Sequence, residues 1–259
     1  MCRLAVYLGK PVRLERFLLA PEHSLIHQAW APREMRSAVL NADGFGFGWY
    51  DDNGHPAAYR NIQPAWADPN LAALGRTLIR NLWVANVRSA TEGFASGYAN
   101  TQPFADGRLL FLHNGFVEHF AESLRPRLRG WLQPAIEAGI HGNTDSEYLF
   151  AVIRQFAAEN PQSPSLLLRR LVDVLATWVP TGERALLNIA LTDSSEIAVT
   201  RHAHSDECPT LYATESDPLC PEGALIASEP LTTGAHWESI PAHRLVTVGS
   251  AGQISITAL

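Results

Sequence analysis

Apolar residues fall into two alternating patterns along the chain, one of period two and one of helical spacing, and the patterns change in blocks. Leu4, Val6 and Leu8 alternate with Ala5 and Tyr7, which predicts a short strand over residues 3–8, closed by Gly9, Lys10 and Pro11. Residues 12–19 read as a short helix and 21–32 as a loop. Gly44, Gly46 and Gly48 alternate before Trp49 and Tyr50, the pattern of a strand that another backbone approaches closely. Asp51-Asp52-Asn53-Gly54 is a hairpin turn signal, with a returning strand over 57–59. A helix is predicted over 69–79 and strands over 82–86 and 109–113, with a loop over 93–106. Two helices follow, over 120–138 and 146–160, the second with capping chemistry in Thr144-Asp145-Ser146. A third begins at Ser163-Pro164-Ser165 and keeps Leu167, Leu171, Val174 and Leu175 on one face. Beyond Pro180 the pattern returns to short strands, over 185–192, 196–201, 211–214, 224–228, 245–248 and 253–256. With no internal repeat and no low-complexity linker, the order strands, helices, strands predicts one α+β domain whose helices cover sheet faces.

Composition narrows the function classes. The 259 residues carry 20 basic and 26 acidic side chains, a net charge of -6, which argues against nucleic acid as a partner because phosphate binding needs clustered Lys and Arg. No stretch reaches the roughly 18 consecutive apolar residues of a membrane helix. The N-terminus has no secretory pattern, so no membrane association is expected and the cytoplasm is the expected compartment. Three Cys lack metal-ligand or disulfide-framework spacing. No metal and no organic cofactor is implied.

Cys2 stands apart by position. Removal of Met1 from before a small residue would leave a Cys that carries both a thiol and a free α-amine. That amine has an ordinary pKa of about 7.7–8.0 and is partly neutral near pH 7. One residue could then supply nucleophile and general base without a His. Alone, a Cys at this position reads as a plain small residue. No Gly-x-Ser-x-Gly elbow offers a serine alternative.

Four further motifs follow in order: Arg88-Ser89-Ala90-Thr91-x-Gly93 after a strand, Asn100-Thr101-Gln102-Pro103-Phe104, Phe111-x-His113-Asn114-Gly115 at a strand end, and Asn143-Thr144-Asp145-Ser146-Glu147 at a helix start. Together with Met1-Cys2 this ordered set resembles the class II glutamine amidotransferases and their γ-glutamyl hydrolase relatives. The resemblance implies a four-layer αββα sandwich of the N-terminal-nucleophile (Ntn) hydrolase type, a single domain over residues 2–259. It also implies roles. Cys2 is the nucleophile. Arg88 grips the substrate α-carboxylate, a task suited to a guanidinium fork, and Asp145 accepts from its α-ammonium. Asn114 and Gly115 form the oxyanion hole, and Thr91 with Gly93 shapes the pocket. Each residue also has a plainer reading: an ion pair for Arg88, a helix N-cap for Asp145, a turn for Asn114-Gly115, packing for His113. The chain departs from many synthetase-type relatives at Phe104, where they carry a His.

Gln28-Ala29-Trp30-Ala31-Pro32-Arg33, Asn41-Ala42-Asp43-Gly44-Phe45-Gly46 and Ala227-Ser228-Glu229-Pro230-Leu231 extend the match over almost the whole chain, to the γ-glutamyl hydrolases of ergothioneine biosynthesis. That finer resemblance implies a small-molecule substrate, γ-glutamyl hercynylcysteine S-oxide, whose quaternary ammonium favours an aromatic-lined pocket. Trp30, Trp49, Tyr50, Phe94 and Tyr98 are the candidates, each equally readable as packing. A glutaminase subunit that feeds ammonia to a separate synthetase, and a hydrolase of another γ-glutamyl amide, stand beside this reading. A homo-oligomer is compatible with all three.

Overall fold

The computed structural model describes residues 2–35, 40–89 and 97–259. In chain order the elements are β1 (Arg3–Arg13), α1 (Leu14–Leu18), α2 (Leu25–Trp30), β2 (Phe45–Tyr50), β3 (Pro56–Asn61), α3 (Leu71–Thr77), β4 (Ile79–Val87), β5 (Phe104–Asp106), β6 (Leu109–Val117), α4 (Leu124–Trp131), α5 (Pro134–Glu137), α6 (Asp145–Glu159) and α7 (Pro164–Trp178). The last third is strands: β7 (Ala185–Thr192), β8 (Ile197–Arg201), β9 (Ala203–His204), β10 (Tyr212–Thr214), β11 (Gly223–Ala227), β12 (Glu238–Ser239), β13 (Arg244–Val248) and β14 (Ile254–Ala258).

The strands form two antiparallel sheets, in the orders β12-β10-β11-β1-β4-β2-β3 and β14-β13-β8-β7-β6-β5. Period-two alternation gives every central strand two buried faces. Leu4, Val6, Val84, Leu110, Leu112, Ala190 and Val199 meet between the sheets. The other face of the first sheet, with Tyr7, Phe47 and Trp83, packs under Leu14, Phe17, Leu25 and Leu71. The other face of the second, with Phe111, Leu187 and Ile189, packs under Leu149, Phe156, Leu167 and Leu171. The result is the αββα sandwich. Short isolated helices are marginal in water; here each buried Leu or Phe contributes about 1.5–3 kcal/mol to holding its helix on its sheet.

Several boundaries differ from the sequence pattern for local reasons. β1 does not stop at Gly9 but runs on to Arg13, with a register irregularity between Leu8 and Val12 that accommodates Pro11. Part of the expected 21–32 loop is α2, started by Ser24, whose hydroxyl accepts from His27 N at 3.2 Å. The single helix expected over 120–138 is two, because Pro134 drives Gln133 to an extended conformation (φ -65°, ψ 144°). β6 extends to Val117, so Asn114 and Gly115 lie inside a strand and are not a turn. The close approach predicted by the alternating glycines is real: a Cβ on Gly46 would lie 2.2 Å from Gln102 O. The segment carrying Gln102 therefore rests directly on β2.

Candidate active site

Cys2 precedes β1 in the middle of the first sheet, and alternation places it on the same face as Leu4, toward the second sheet. Its side chain is buried, and its thiol lies 3.8 Å from Ser89 O, just past the end of β4. It lines a narrow cavity of about 20 Å³ with Arg88, Ser89, Asn100, Gln102, His113, Gly115, Thr144, Asp145 and Ser146. Every ordered motif with described residues thus contributes to one wall. A space of that size holds little more than a single water. A larger pocket of about 430 Å³, lined in part by Arg60, Phe104, Glu147 and Arg154, contains Tyr98 of the aromatic candidates but neither Cys2, Arg88, Asn114, Gly115 nor Asp145.

Arg88 is buried, and its Nη1 donates to the main-chain oxygen of Asp43 at 3.2 Å. Its backbone pairs on both sides with the 43–44 segment, Arg88 N to Gly44 O at 2.8 Å and Asp43 N to Arg88 O at 3.0 Å. The guanidinium is therefore aimed by main chain, and among the described residues it pairs with no carboxylate.

Asp145 is not the helix cap. Thr144 is, its hydroxyl accepting from Glu147 N at 3.3 Å. Asp145 occupies the first helical position, buried, with Oδ2 accepting from Val117 N at 2.8 Å and Oδ1 from Ser146 N at 2.7 Å. The carboxylate ties the end of β6 to the start of α6, where helix polarity favours an anion. A carboxylate has about four lone-pair sites, so these bonds leave capacity for a cation.

His113 is built into the wall: Nε2 donates to Leu186 O at 2.8 Å and Nδ1 bonds Ser146 Oγ at 2.9 Å. Gln102 clamps its backbone, accepting from His113 N at 2.6 Å and donating to His113 O at 3.2 Å. Asn100 and Asn143 bond reciprocally, Asn100 Nδ2 to Asn143 Oδ1 at 3.0 Å and Asn143 N to Asn100 Oδ1 at 3.1 Å. Two motifs separated by some forty residues are thereby joined beside the cavity. Gly115 cannot be anything larger, since a Cβ there would lie 1.7 Å from Leu186 O. Asn114, fully buried between the sheets, donates from Nδ2 to Ser228 Oγ at 3.2 Å.

Some expectations end differently. Thr91, Gly93 and Phe94 lie outside the described residues. Trp49 packs in the helix-covered core, and Tyr50 is buried with its hydroxyl donated to Thr192 O at 2.8 Å, so neither lines the cavity. Trp30 and Tyr98 are exposed. Phe104 stacks on Phe111 and Phe150 in the core. The other two cysteines, Cys208 and Cys220, are buried, and burial pushes Cys220 up to about 12.

Residues without an assigned role in the sequence reading gather behind the nucleophile. Glu229 is buried and accepts from His23 Nε2 at 2.7 Å, Arg33 N at 2.9 Å and Glu34 N at 3.1 Å, and pairs with Arg3 Nη1 at 3.5 Å. Burial raises its pKa, but these donors and the Arg3 charge outweigh burial and hold it below the ordinary carboxylate value. Burial lowers Arg3, against the opposing pull of Glu229, Cys2 and Glu34. The Ala227-Ser228-Glu229 motif flagged this place without revealing its chemistry.

Residues 20–208 match the family model of class-II glutamine amidotransferases. The γ-glutamyl-hercynylcysteine sulfoxide hydrolase of Mycolicibacterium smegmatis is 30% identical over 251 residues, covering 97% of both chains. The probable glutamine amidotransferase DUG3 of Saccharomyces cerevisiae is also 30% identical, over 96% of this chain and 82% of its own. Among solved structures, a glutamine aminotransferase class-II domain protein from Silicibacter pomeroyi superposes with a TM-score of 0.70 at 26% identity, covering 100% of this chain and 99% of that one. The glutamine phosphoribosylpyrophosphate amidotransferase of B. subtilis shares the fold, with a TM-score of 0.66 at 16% identity over 49% of its length.

Proposed function

Starting from the class II glutamine amidotransferases, the family to which this chain belongs, we propose that it hydrolyses a γ-glutamyl amide with Cys2, freed by loss of Met1, as nucleophile. The substrate best supported is γ-glutamyl hercynylcysteine sulfoxide, cleaved to glutamate and hercynylcysteine sulfoxide. One observation carries the reading: a single cavity collects Cys2, Arg88, Gly115 and Asp145 from four separate parts of the chain. The relatives named as hydrolases of that sulfoxide, matched over nearly their full length, support the substrate.

The residues divide the work as follows. Arg88 takes the α-carboxylate of the glutamyl head and Asp145 its α-ammonium. The cavity is narrow, so the head enters by displacing part of its wall. The Cys2 α-amine takes the thiol proton, and the thiolate attacks the γ-carbonyl carbon. Asn114 Nδ2 and the Gly115 N–H receive the oxyanion, whose stabilisation by one such donor is worth about 10²–10³ in rate. The C–N bond breaks as the Cys2 ammonium protonates the leaving amine. Water, deprotonated by the same amine, then cleaves the glutamyl thioester and restores the thiol.

The yeast relative, equally similar and named a probable glutamine amidotransferase, supports a second reading, in which glutamine is cleaved and ammonia passes to a separate synthetase. Glutamate release from the sulfoxide conjugate, from glutamine and from γ-glutamyl-p-nitroanilide distinguishes them. Intact mass is measured alongside. The first reading expects Met1 absent and the sulfoxide fastest. Preference for glutamine establishes the second, and full activity in Cys2→Ala overturns both.

A further inference from the structure

We propose that Ser228 is a positioning residue that holds the oxyanion donor and the nucleophile strand in one register. This rests on the reading of Asn114 as an oxyanion donor. Ser228 follows β11, fully buried, beside the first turn of β1. Its N–H donates to Leu4 O at 2.9 Å and its hydroxyl accepts from Leu4 N at 3.0 Å, so it grips both main-chain groups of a residue two positions from the nucleophile. The same hydroxyl accepts from Asn114 Nδ2 at 3.2 Å. Leu4 belongs to the first sheet, Ser228 directly follows that sheet's β11, and Asn114 belongs to the second. One hydroxyl is thus the polar link between the strand that carries the thiol and the amide that meets the oxyanion.

The link matters because, among the described residues, no other hydrogen bond orients that amide. Asn114 Oδ1 is buried without a hydrogen-bond partner among the described residues. The terminal torsion of an Asn is broad and roughly two-fold, so without the Ser228 bond the amide can turn its donor away. An amide N–H bonded to Ser228 through one hydrogen keeps its second hydrogen in a defined direction. Preorganised donors stabilise a developing charge because they need not reorient during reaction. Ser228 also has its own anchor, its carbonyl accepting from Thr210 Oγ1 at 2.8 Å. The next residue, Glu229, pairs with Arg3, which lies between Cys2 and Leu4. The dipeptide therefore fixes residues 3 and 4 together, the first through its side chain and the second through its backbone.

A double-mutant cycle tests this: Ser228→Ala, Asn114→Ala and both together, with kcat and KM measured on whichever of the three γ-glutamyl amides above the wild type cleaves fastest. The expected result is a fall in kcat of about 10- to 100-fold for Ser228→Ala, part of the loss typical of removing a donor, with KM changed less than about two-fold. On the Asn114→Ala background the same substitution costs little more, because the group it positions is gone. Ser228→Thr, which keeps the hydroxyl, restores most of the rate. Additive losses, or a Ser228→Ala enzyme with wild-type kcat beside a crippled Asn114→Ala, overturn the positioning role and leave the oxyanion reading intact. A fully active Asn114→Ala overturns the oxyanion reading and this inference with it.

Discussion

Gly115→Ala is the sharpest test of how the cavity is built. The added Cβ would stand 1.7 Å from Leu186 O and 2.5 Å from His113 Nε2. Carbon–oxygen contacts tolerate about 3.3 Å, so β6 and β7 must part locally by roughly 1.5 Å. Gly115 pairs with Leu187 in that ladder, and neighbouring His113 donates to Leu186 O at 2.8 Å. Forcing the strands apart strains the packed core by about 1–3 kcal/mol. It also leaves a buried hydrogen bond unmade, costing about another 1–3 kcal/mol. For a chain of this length each kcal/mol shifts the midpoint by about 2–4 °C, so a thermal melt should fall by about 5–20 °C. If the Gly115 N–H is an oxyanion donor, kcat measured well below the melt should fall about 10²–10³-fold as well. A variant that melts within a degree or so of the wild type and keeps full kcat would refute both the steric argument and the placement of Gly115.

Arg88→Lys loses the fork while keeping the charge; KM for γ-glutamyl amides should rise about ten-fold or more, given about 1.5–3 kcal/mol for a charged hydrogen bond, and unchanged kinetics would remove Arg88 from the site. Glu229→Ala leaves buried Arg3 without its ion-pair partner, so urea denaturation should show a loss of about 3–5 kcal/mol; a loss under about 1 kcal/mol would mean that the pair is immaterial. His202, whose Nδ1 lies 3.0 Å from His243 Nδ1, is pushed down to about 4 by burial, then by His204 and His243. The unfolded chain therefore binds this proton first as pH falls. Its contribution is complete above the ordinary histidine value of about 6.5 and is lost progressively toward pH 4. Replacing His202 by Gln should flatten the stability profile in that window, and an unaltered slope in denaturant titrations would contradict the assignment.

How much of this was legible in the sequence depended on how local the cause was. Periodicity found α7, whose buried residues recur at helical spacing; the inner strands showed as short apolar runs, and capping residues marked the start of α6. It missed α2, whose cue was the single hydroxyl of Ser24, and the end of β1, where a bulge absorbs the Pro11 that reads as a stop. Asn114-Gly115 had a turn as its plainer reading because the dipeptide has that habit. Its place inside β6 is imposed by pairing with Leu187 and Asn188, more than seventy residues away.

The candidate site divides the same way. Groups expected to touch substrate sit in short motifs, because a nucleophile, a guanidinium or an oxyanion donor is recognisable by its type. The groups that hold them are recognisable only through their partners. Glu229 has no assignable role from the sequence until the fold brings it to Arg3, His23 and the 33–34 backbone. Ser228 reads as a small residue until its hydroxyl is seen between Leu4 and Asn114. Aromatic residues mislead in the opposite direction. Trp49 and Tyr50 look like a cation pocket by type, yet alternation along β2 commits one to the helix-covered core and the other to the layer between the sheets. Of the aromatic candidates among the described residues, only Trp30 and Tyr98 keep exposed rings that could meet a bulky leaving group, and selectivity for the amine half is expected to respond to those two positions.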